Sequence, residues 1–569
     1  MKKIIAGLTA ALLVFGGVGV MPTTKVDLNV LAVDITMSDL GIPKEYGDYT
    51  YHIIDYSSPK VIIDSYKGSD TDLIIPETIN DIPVVSISPT AFNYIENPNA
   101  KNIKSITLPQ YLGSTTADIA DNILPWLNLE NIFVSNNNQW LTSENGVLYN
   151  KDKTSLICYP QQRTEVIILD TVKAIADNAF AGCKNIKSVT IPNSVQSIGS
   201  RAFIGCEKLE HISIPKSVTY IGSHAFDNTP WLSLKRYEDP LVIINGIVID
   251  GYLCEGEVTI PDNVTAIGDA AFSHTTSPIT SINMPNSIKY IGKYAFSTCK
   301  EIESITLPKN LETISKEAFS GCTNLKSVTF SNSVKTIEEN AFMGCTSLES
   351  IELPEGLLEL GSSPFLDCKS LKRAYLPGTL KQIPYNCFYN CKSLEEVVIS
   401  KGIETIDSFS FGGCSKLKAF QIPYGVTMIS YEAFFDIALS SIVIPKSVIY
   451  IGEYGLGYRG IYNEYGLRID SEKIPGFTVY GYAGTDAQRY AEENGFTFVP
   501  LEDNSVFGDI DGDGDPNVDD VLLVQQFIAG WDIGIEEYLL DINSDGLVSV
   551  DDAILIQQII AGWDVAPKK

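Results

Sequence analysis

Two acidic stretches near the carboxyl end of the chain place oxygen ligands at alternating positions. The first runs through Asp509, Asp511, Asp513, Asp515 and Asn517 to Asp520. The second begins 32 residues later and runs through Asp541, Asn543, Asp545, Leu547 and Ser549 to Asp552. Calcium is a hard cation that takes six to eight oxygens at about 2.3–2.6 Å, and a twelve-residue loop can wrap it. Such a loop has donors at positions 1, 3, 5, 7, 9 and 12 and a glycine at 6 for its sharp turn. Both stretches fit: Gly514 and Gly546 take the sixth position, and Asp515 and Leu547 offer the seventh carbonyl. The twelfth position is Asp520 or Asp552, where the motif has Glu; a shorter acid still ligates. An acidic turn that only solvates the chain does not account for two complete matches at one offset. The spacing therefore predicts two calcium ions.

Each loop runs into a helix. Asp519-Asp520 and Asp551-Asp552 put negative charge at a helix start, where the dipole favours it. Val521, Val524 and Ile528 form one apolar stripe, and Ile556, Ile559 and Ile560 another, before Gly530 and Gly562. No apolar helix precedes the first loop. This doubled, EF-hand-like loop-then-helix unit resembles a type I dockerin, over about Phe507 to Asp564. The resemblance implies calcium-dependent binding to a cohesin domain of a scaffoldin in a cellulosome. It further implies a recognition face at Val518, Asp519, Gln525, Gln526 and Gly530, repeated at Val550, Asp551, Gln557, Gln558 and Gly562. The near-identity of the two halves implies that either could face the cohesin. Pro516 departs from the pattern, because it removes an amide.

The elements upstream must present this unit. The chain has 569 residues and a net charge of −29. No basic cluster supplies phosphate contacts, so nucleic-acid binding is disfavoured. Met1 to Ala32 reads as a secretory signal: two lysines, an apolar run from Ile4 to Val20, and small residues before a cleavage point. The apolar run is short for a membrane span, so the mature chain is expected to be exported and free of a span.

Residues 33–500 repeat. A marker Phe falls at Phe180, Phe203, Phe226, Phe272, Phe296, Phe319, Phe342, Phe365, Phe388, Phe411 and Phe434, mostly 23 residues apart. The consensus is L-x-x-I-x-I-P-x-x-V-x-x-I-G-x-x-A-F-x-x-C. I-x-I-P reads as a short strand ended by Pro, V-x-x-I as a corner, and A-F as a turn or short helix. One coil cannot bury its own apolar face, so coils must stack. Eight of the eleven cysteines occupy one slot, three residues after the Phe; Cys158, Cys254 and Cys387 lie outside it. The slot predicts a reduced, buried ladder, since free Cys behaves as a small hydrophobe. The pattern resembles the BspA-like leucine-rich repeat family, which implies a leucine-rich-repeat solenoid, β-rich with a parallel strand ladder. Val479 to Phe498 matches that family's strand–helix–strand cap. The fold expected is thus this solenoid with a small α-helical dockerin: signal 1–32, solenoid 33–500, acidic linker 501–506, dockerin 507–569.

No catalytic constellation stands out. The four histidines show no metal spacing. Glu352 and Glu396, on strands two coils apart, would meet the separation of about 5–9.5 Å that glycoside hydrolysis needs, but solvated surface charge is the better account of them. Along the outward strand face, small hydroxyls give way to Glu352, Arg373, Tyr375, Glu396, Val398 and Gln421. Tyr and Arg favour recognition, so these six are the candidate ligand patch, with varied surface as the plain alternative. The function expected is a secreted, non-catalytic binding or structural component, whose solenoid holds a protein or a plant cell-wall polysaccharide. The alternatives are a polysaccharide-degrading enzyme and a cell or host adhesin.

Overall fold

The computed structural model describes residues 40–55, 57–92, 97–113, 127–273, 275, 278–400, 402–423, 425–463, 465, 467–501, 508, 510, 516–530, 540–543 and 547–560. The expected signal segment and nearly all of the linker lie outside them.

The chain enters through an antiparallel set, Lys44–Tyr46, Tyr49–Ile54 and Lys60–Tyr66, onto which Ile82–Ile87 adds in parallel. From Asp72 onward the backbone coils, and each regular coil carries two strands. The I-x-I-P segment gives the first: Ser350–Glu352, Arg373–Leu376 and Glu396–Ile399 pair in parallel and in register. The V-x-x-I segment, expected to be a corner, forms a second ladder of two-residue strands. It runs through Ala266–Ile267, Tyr290–Ile291, Thr313–Ile314, Thr336–Ile337 and Glu359–Leu360. A-F opens a turn and not a helix. Two residues before the Phe the backbone is left-handed, as at Asn340 (φ 57°), and two after it is left-handed again, as at Gly344 (φ 71°). Two such residues in five exclude a right-handed helix.

Stacking fills the interior. Phe272, Phe296, Phe319 and Phe342 lie 5.1, 5.2 and 5.3 Å apart, with ring planes within 8° of parallel. That spacing follows the strand separation of about 4.8 Å. The Cys slot is more than filler. Cys322, Cys345 and Cys368 donate their thiols to the carbonyls of Phe296, Phe319 and Phe342, one coil back, at 3.1, 3.3 and 3.3 Å. All eleven cysteines are free and buried, and burial pushes the Cys206 and Cys299 thiols up to about 12.

Two segments interrupt the beat, and both are hairpins. Leu141–Glu144 with Val147–Asn150 turns at Asn145-Gly146 (φ 50°, 73°); Val242–Ile244 with Ile247–Asp250 turns at Asn245-Gly246 (φ 52°, 78°). Positive φ at both residues makes these the hairpin turns that Asn-Gly favours. The helix Pro230–Glu238 precedes the second hairpin, and its Trp231 closes one Phe stack against Phe226 at 4.7 Å. Arg236 ties this helix to the hairpin through two bonds to Asp250, at 2.8 and 2.6 Å. At the far end, Thr478–Gly481 and Thr497–Pro500 extend the ladder from Ser441–Val443, with the helix Asp486–Asn494 between them. This is the expected cap. Among the described residues no helix is long and apolar enough to cross a membrane.

Candidate functional site

The carboxyl-terminal module is built from its helix starts. Asn517 is extended and accepts the Asp519 N–H at 2.7 Å, while Asp520 accepts the Asn517 N–H at 2.8 Å, a capping box that starts the helix Val518–Ile528. The second half repeats this. Ser549 accepts the Asp551 N–H at 3.1 Å, and Asp552 accepts the Ser549 N–H at 2.8 Å, at the start of Val550–Ile560. The other oxygen of each acid reaches back into its own loop. Asp520 Oδ1 accepts the Ile510 N–H at 2.6 Å, and Asp552 Oδ1 accepts the Asn543 N–H at 2.9 Å. Both carboxylates are fully buried, and Asp541 is nearly so. Val521 and Val524 pack against Ala553 and Ile556, with Ile510 and Leu540 completing a small core. Ile528 and Ile560 belong to the expected apolar stripes but are exposed, because the contact runs out after the second helical turn.

The described part of each loop offers oxygen donors of the kind calcium takes: Asn517 and Asp520 in the first, and Asp541, Asn543, the Leu547 carbonyl, Ser549 and Asp552 in the second. Asp509, Asp511, Asp513, Asp515 and Asp545 lie outside the described residues. Among the described residues no group of three His, Cys, Asp or Glu side chains stands ready to hold a metal. On the expected recognition face, Val518, Asp519, Gln525, Gly530, Val550, Asp551 and Gln557 are exposed, and Gln526 and Gln558 are half-buried; Gly562 lies outside the described residues. Leu522 and Ile554, one helical turn after Val518 and Val550, are exposed as well. Their i, i+4 spacing from those valines is the signal that would have added them.

On the solenoid, the strand face brings five of the six candidate patch residues together. Glu352, Tyr375 and Val398 share one cross-strand row, and Arg373 and Glu396 another. Gln421 sits in the next coil, outside any strand, where Phe420 turns inward onto Phe411 and Phe434. Three of its side chains are already engaged. Arg373 holds Glu396 through Nε at 2.7 Å and Nη2 at 3.1 Å. The Tyr375 hydroxyl bonds Glu355 and, at 2.9 Å, Ser400. Glu352 and Glu396 therefore stand in different rows, and one of them is bound to an arginine. That is not a pair poised across a glycosidic bond.

The BspA type Leucine rich repeat region matches residues 155–248, 252–372 and 335–459, more than half of the chain. The chain belongs to this family. Solved structures to which it is similar include a leucine-rich repeat protein from Bacteroides ovatus, at 23% identity over 81% of this chain and 100% of that one, with a TM-score of 0.35. Another, from Eubacterium ventriosum, is 18% identical over 72% of this chain and 92% of that one, with a TM-score of 0.35. A leucine rich cell surface protein from Faecalibacterium prausnitzii is 24% identical over 64% and 96%, with a TM-score of 0.29. No curated protein matches the chain. The family assignment covers the repeats and stops short of the carboxyl-terminal module.

Proposed function

We propose that the chain is an exported, non-catalytic binding component, with its solenoid as the binding body and its twin-loop module as a calcium-held tether. The carrying observation is the pair of fully buried carboxylates, Asp520 and Asp552, each organising one loop and one helix start through two backbone N–H groups. Calcium would be held by the loop oxygens of Asp509, Asp511, Asp513, Asp515, Asn517 and Asp520, and of Asp541, Asn543, Asp545, Leu547, Ser549 and Asp552. Bound there, it would offset the charge gathered in the loops and fix their shape. The module would then seat in a scaffoldin cohesin through the Gln525-Gln526 or the Gln557-Gln558 face, as the type I dockerin likeness implies. The solenoid would hold a protein or a cell-wall polysaccharide.

The enzyme reading is the weaker one, because Arg373 occupies Glu396 on an open strand face. The tether is tested by native-gel shift against a panel of cohesins. Binding that vanishes with a chelator and returns with calcium supports it; binding unchanged in chelator refutes it. Replacing Gln525 and Gln526 alone should weaken binding little, and replacing all four glutamines should abolish it.

A further inference from the structure

The backbone ladder opens inside the molecule. In the regular turns, N–H groups of alternate residues reach the carbonyls of the next coil. Arg201, Phe203 and Gly205 donate to Ser223, Ala225 and Asp227, at 2.9, 2.7 and 2.9 Å. Phe272 donates to Ala295 in the same way, at 2.8 Å. After Asp227 the next turn is missing, because the helix Pro230–Glu238 stands in its place. Trp231 of that helix covers the Phe226 ring at 4.7 Å, which serves the side chain and not the backbone. Among the described residues the N–H groups of His224, Phe226 and Asn228 meet no acceptor. Phe226 is 2% exposed, and a buried N–H without a partner is rare. The carboxyl-terminal cap shows the closed alternative: Leu456, in the marker position, donates to the Tyr490 hydroxyl at 3.0 Å.

This open end borders a cavity of about 310 Å³. His224, Phe226 and Asn228 line one side, and Ser273 of the following turn lines the other. Ser273 holds the place of Asp227 and Ser320, whose carbonyls take the Gly205 and Thr298 N–H groups at 2.9 and 2.7 Å. Among the described residues the Ser273 carbonyl takes none. Two carboxylates also line the cavity. Asp250 carries the two bonds from Arg236. Asp227 takes His224 Nδ1 on Oδ2 at 2.8 Å, while its Oδ1 faces only the Arg236 guanidinium, at 3.7 Å.

We propose that this cavity binds a neutral sugar, as one or two rings at the end of a glycan chain. The inference rests on the reading of the solenoid as a binding body and chooses glycan over protein as its ligand. The wall offers spare donors and spare acceptors together. A hydroxyl is both, so a ring of hydroxyls can meet the N–H row and the Asp227 and Ser273 oxygens at once. Leu232 and Ile249 supply apolar wall for the C–H faces of the ring. The volume lies at the lower end of ligand-holding clefts, about 300–1,000 Å³. A compact anion fits worse. The three N–H groups belong to alternate residues, in a row and not around one point, and two carboxylates would repel it. A peptide fits worse as well: the Ala271 carbonyl opposite is already taken by the Gly251 N–H, at 2.6 Å, so a peptide could not pair with both walls.

The test is amide exchange on the full chain, resolved to single residues, with and without xylobiose, cellobiose or mannobiose. Without sugar, the Phe226 amide should exchange at least tenfold faster than those of Phe203 and Phe272. One of these sugars at saturation should slow it at least tenfold and leave Phe365 unchanged. Asp227→Ala should weaken that sugar at least tenfold in isothermal titration, and Asp227→Asn, which keeps one acceptor oxygen, should weaken it less. Should either variant unfold, protection of the parent at Phe226 decides alone. Exchange at Phe226 as slow as at Phe203 before any sugar is added would overturn the open end. Protection by none of the three sugars, or only by digalacturonate or trialanine, would overturn the sugar site. A glycan and protein array separates that failure from failure of the binding body. A ligand captured on the array without protection at Phe226 keeps the binding body and rejects this cavity as its site.

Discussion

Replacing Asp520 with alanine removes the acceptor of two short bonds, from the Ile510 N–H at 2.6 Å and the Asn517 N–H at 2.8 Å. Hydrogen bonds to a charged group contribute about 1.5–3 kcal/mol each, so the first half stands to lose about 3–6 kcal/mol. The reserve against that loss is small. The helices Val518–Ile528 and Val550–Ile560 have 11 residues each, and helices shorter than about 12–15 residues are marginal alone. Among the described residues their shared core has six buried side chains. The first loop and helix should therefore lose order while the second half, organised by Asp552, keeps its own ion. Isothermal titration on the full chain should give two calcium ions for the parent and one for Asp520→Ala, with Asp552→Ala mirroring it. Far-UV circular dichroism should show partial helix loss for each single variant and complete loss of the calcium-dependent signal for the double. Asp520→Asn should fall between, since it keeps one acceptor oxygen. Two ions in the Asp520→Ala protein at parental affinity would refute the role given to this carboxylate. Helix content insensitive to calcium would refute the coupling of ion to fold.

Further expectations concern the solenoid. Phe342→Ala empties a ring site stacked at 5.3 and 5.9 Å on its neighbours; by the usual cost of such truncations it should lose about 3–5 kcal/mol. Hydrogen exchange should place the damage in the adjacent coils, and a loss under about 1 kcal/mol would contradict the stack. Gly222→Ala puts a Cβ 2.5 Å from the Ser200 backbone nitrogen and should lower the denaturant midpoint, whereas an unchanged midpoint would show that the coils can slide apart. The thiols give a pH signature. Their folded pKa values are raised, so their contribution is fully present below the unfolded thiol value near about 8.5. It is lost as pH climbs toward about 12, where Cys206 and Cys299 titrate. Stability should fall steadily above pH 9, and a thiol reagent at pH 8 should label the folded protein negligibly and the denatured protein fully. Rapid labelling of the folded chain would contradict the buried ladder.

The periodic part of this chain was legible because its physics is one-dimensional: a side chain that repeats every 23 residues meets its own copy, so Phe319 predicts Phe342 without knowledge of anything distant. The second ladder was hidden because two-residue strands such as Thr313–Ile314 carry no alternation to read. The turn at A-F was only half marked: the left-handed position two after the Phe is Gly182, Gly205, Gly321, Gly344 and Gly413, whereas the one two before it tolerates Asn340, Glu317 and even Phe409 (φ 59°), so no glycine marks where the turn begins. The two hairpin insertions did carry a mark, Asn-Gly in both, although the broken beat obscured it. Candidate sites divide along the same line. Asp520 and Asp552 stood out through spacing alone, because an expected loop donor and the helix start it caps are neighbours in sequence. Arg236 and Asp250 did not, because 14 residues separate two halves of one ion pair and nothing in either neighbourhood anticipates the other. A repeat protein declares its scaffold through period, whereas its binding features gather where the period fails. On the regular strand face Arg373 holds Glu396 and the Tyr375 hydroxyl holds Glu355 and Ser400, so the period says where those side chains stand and not which neighbours they meet.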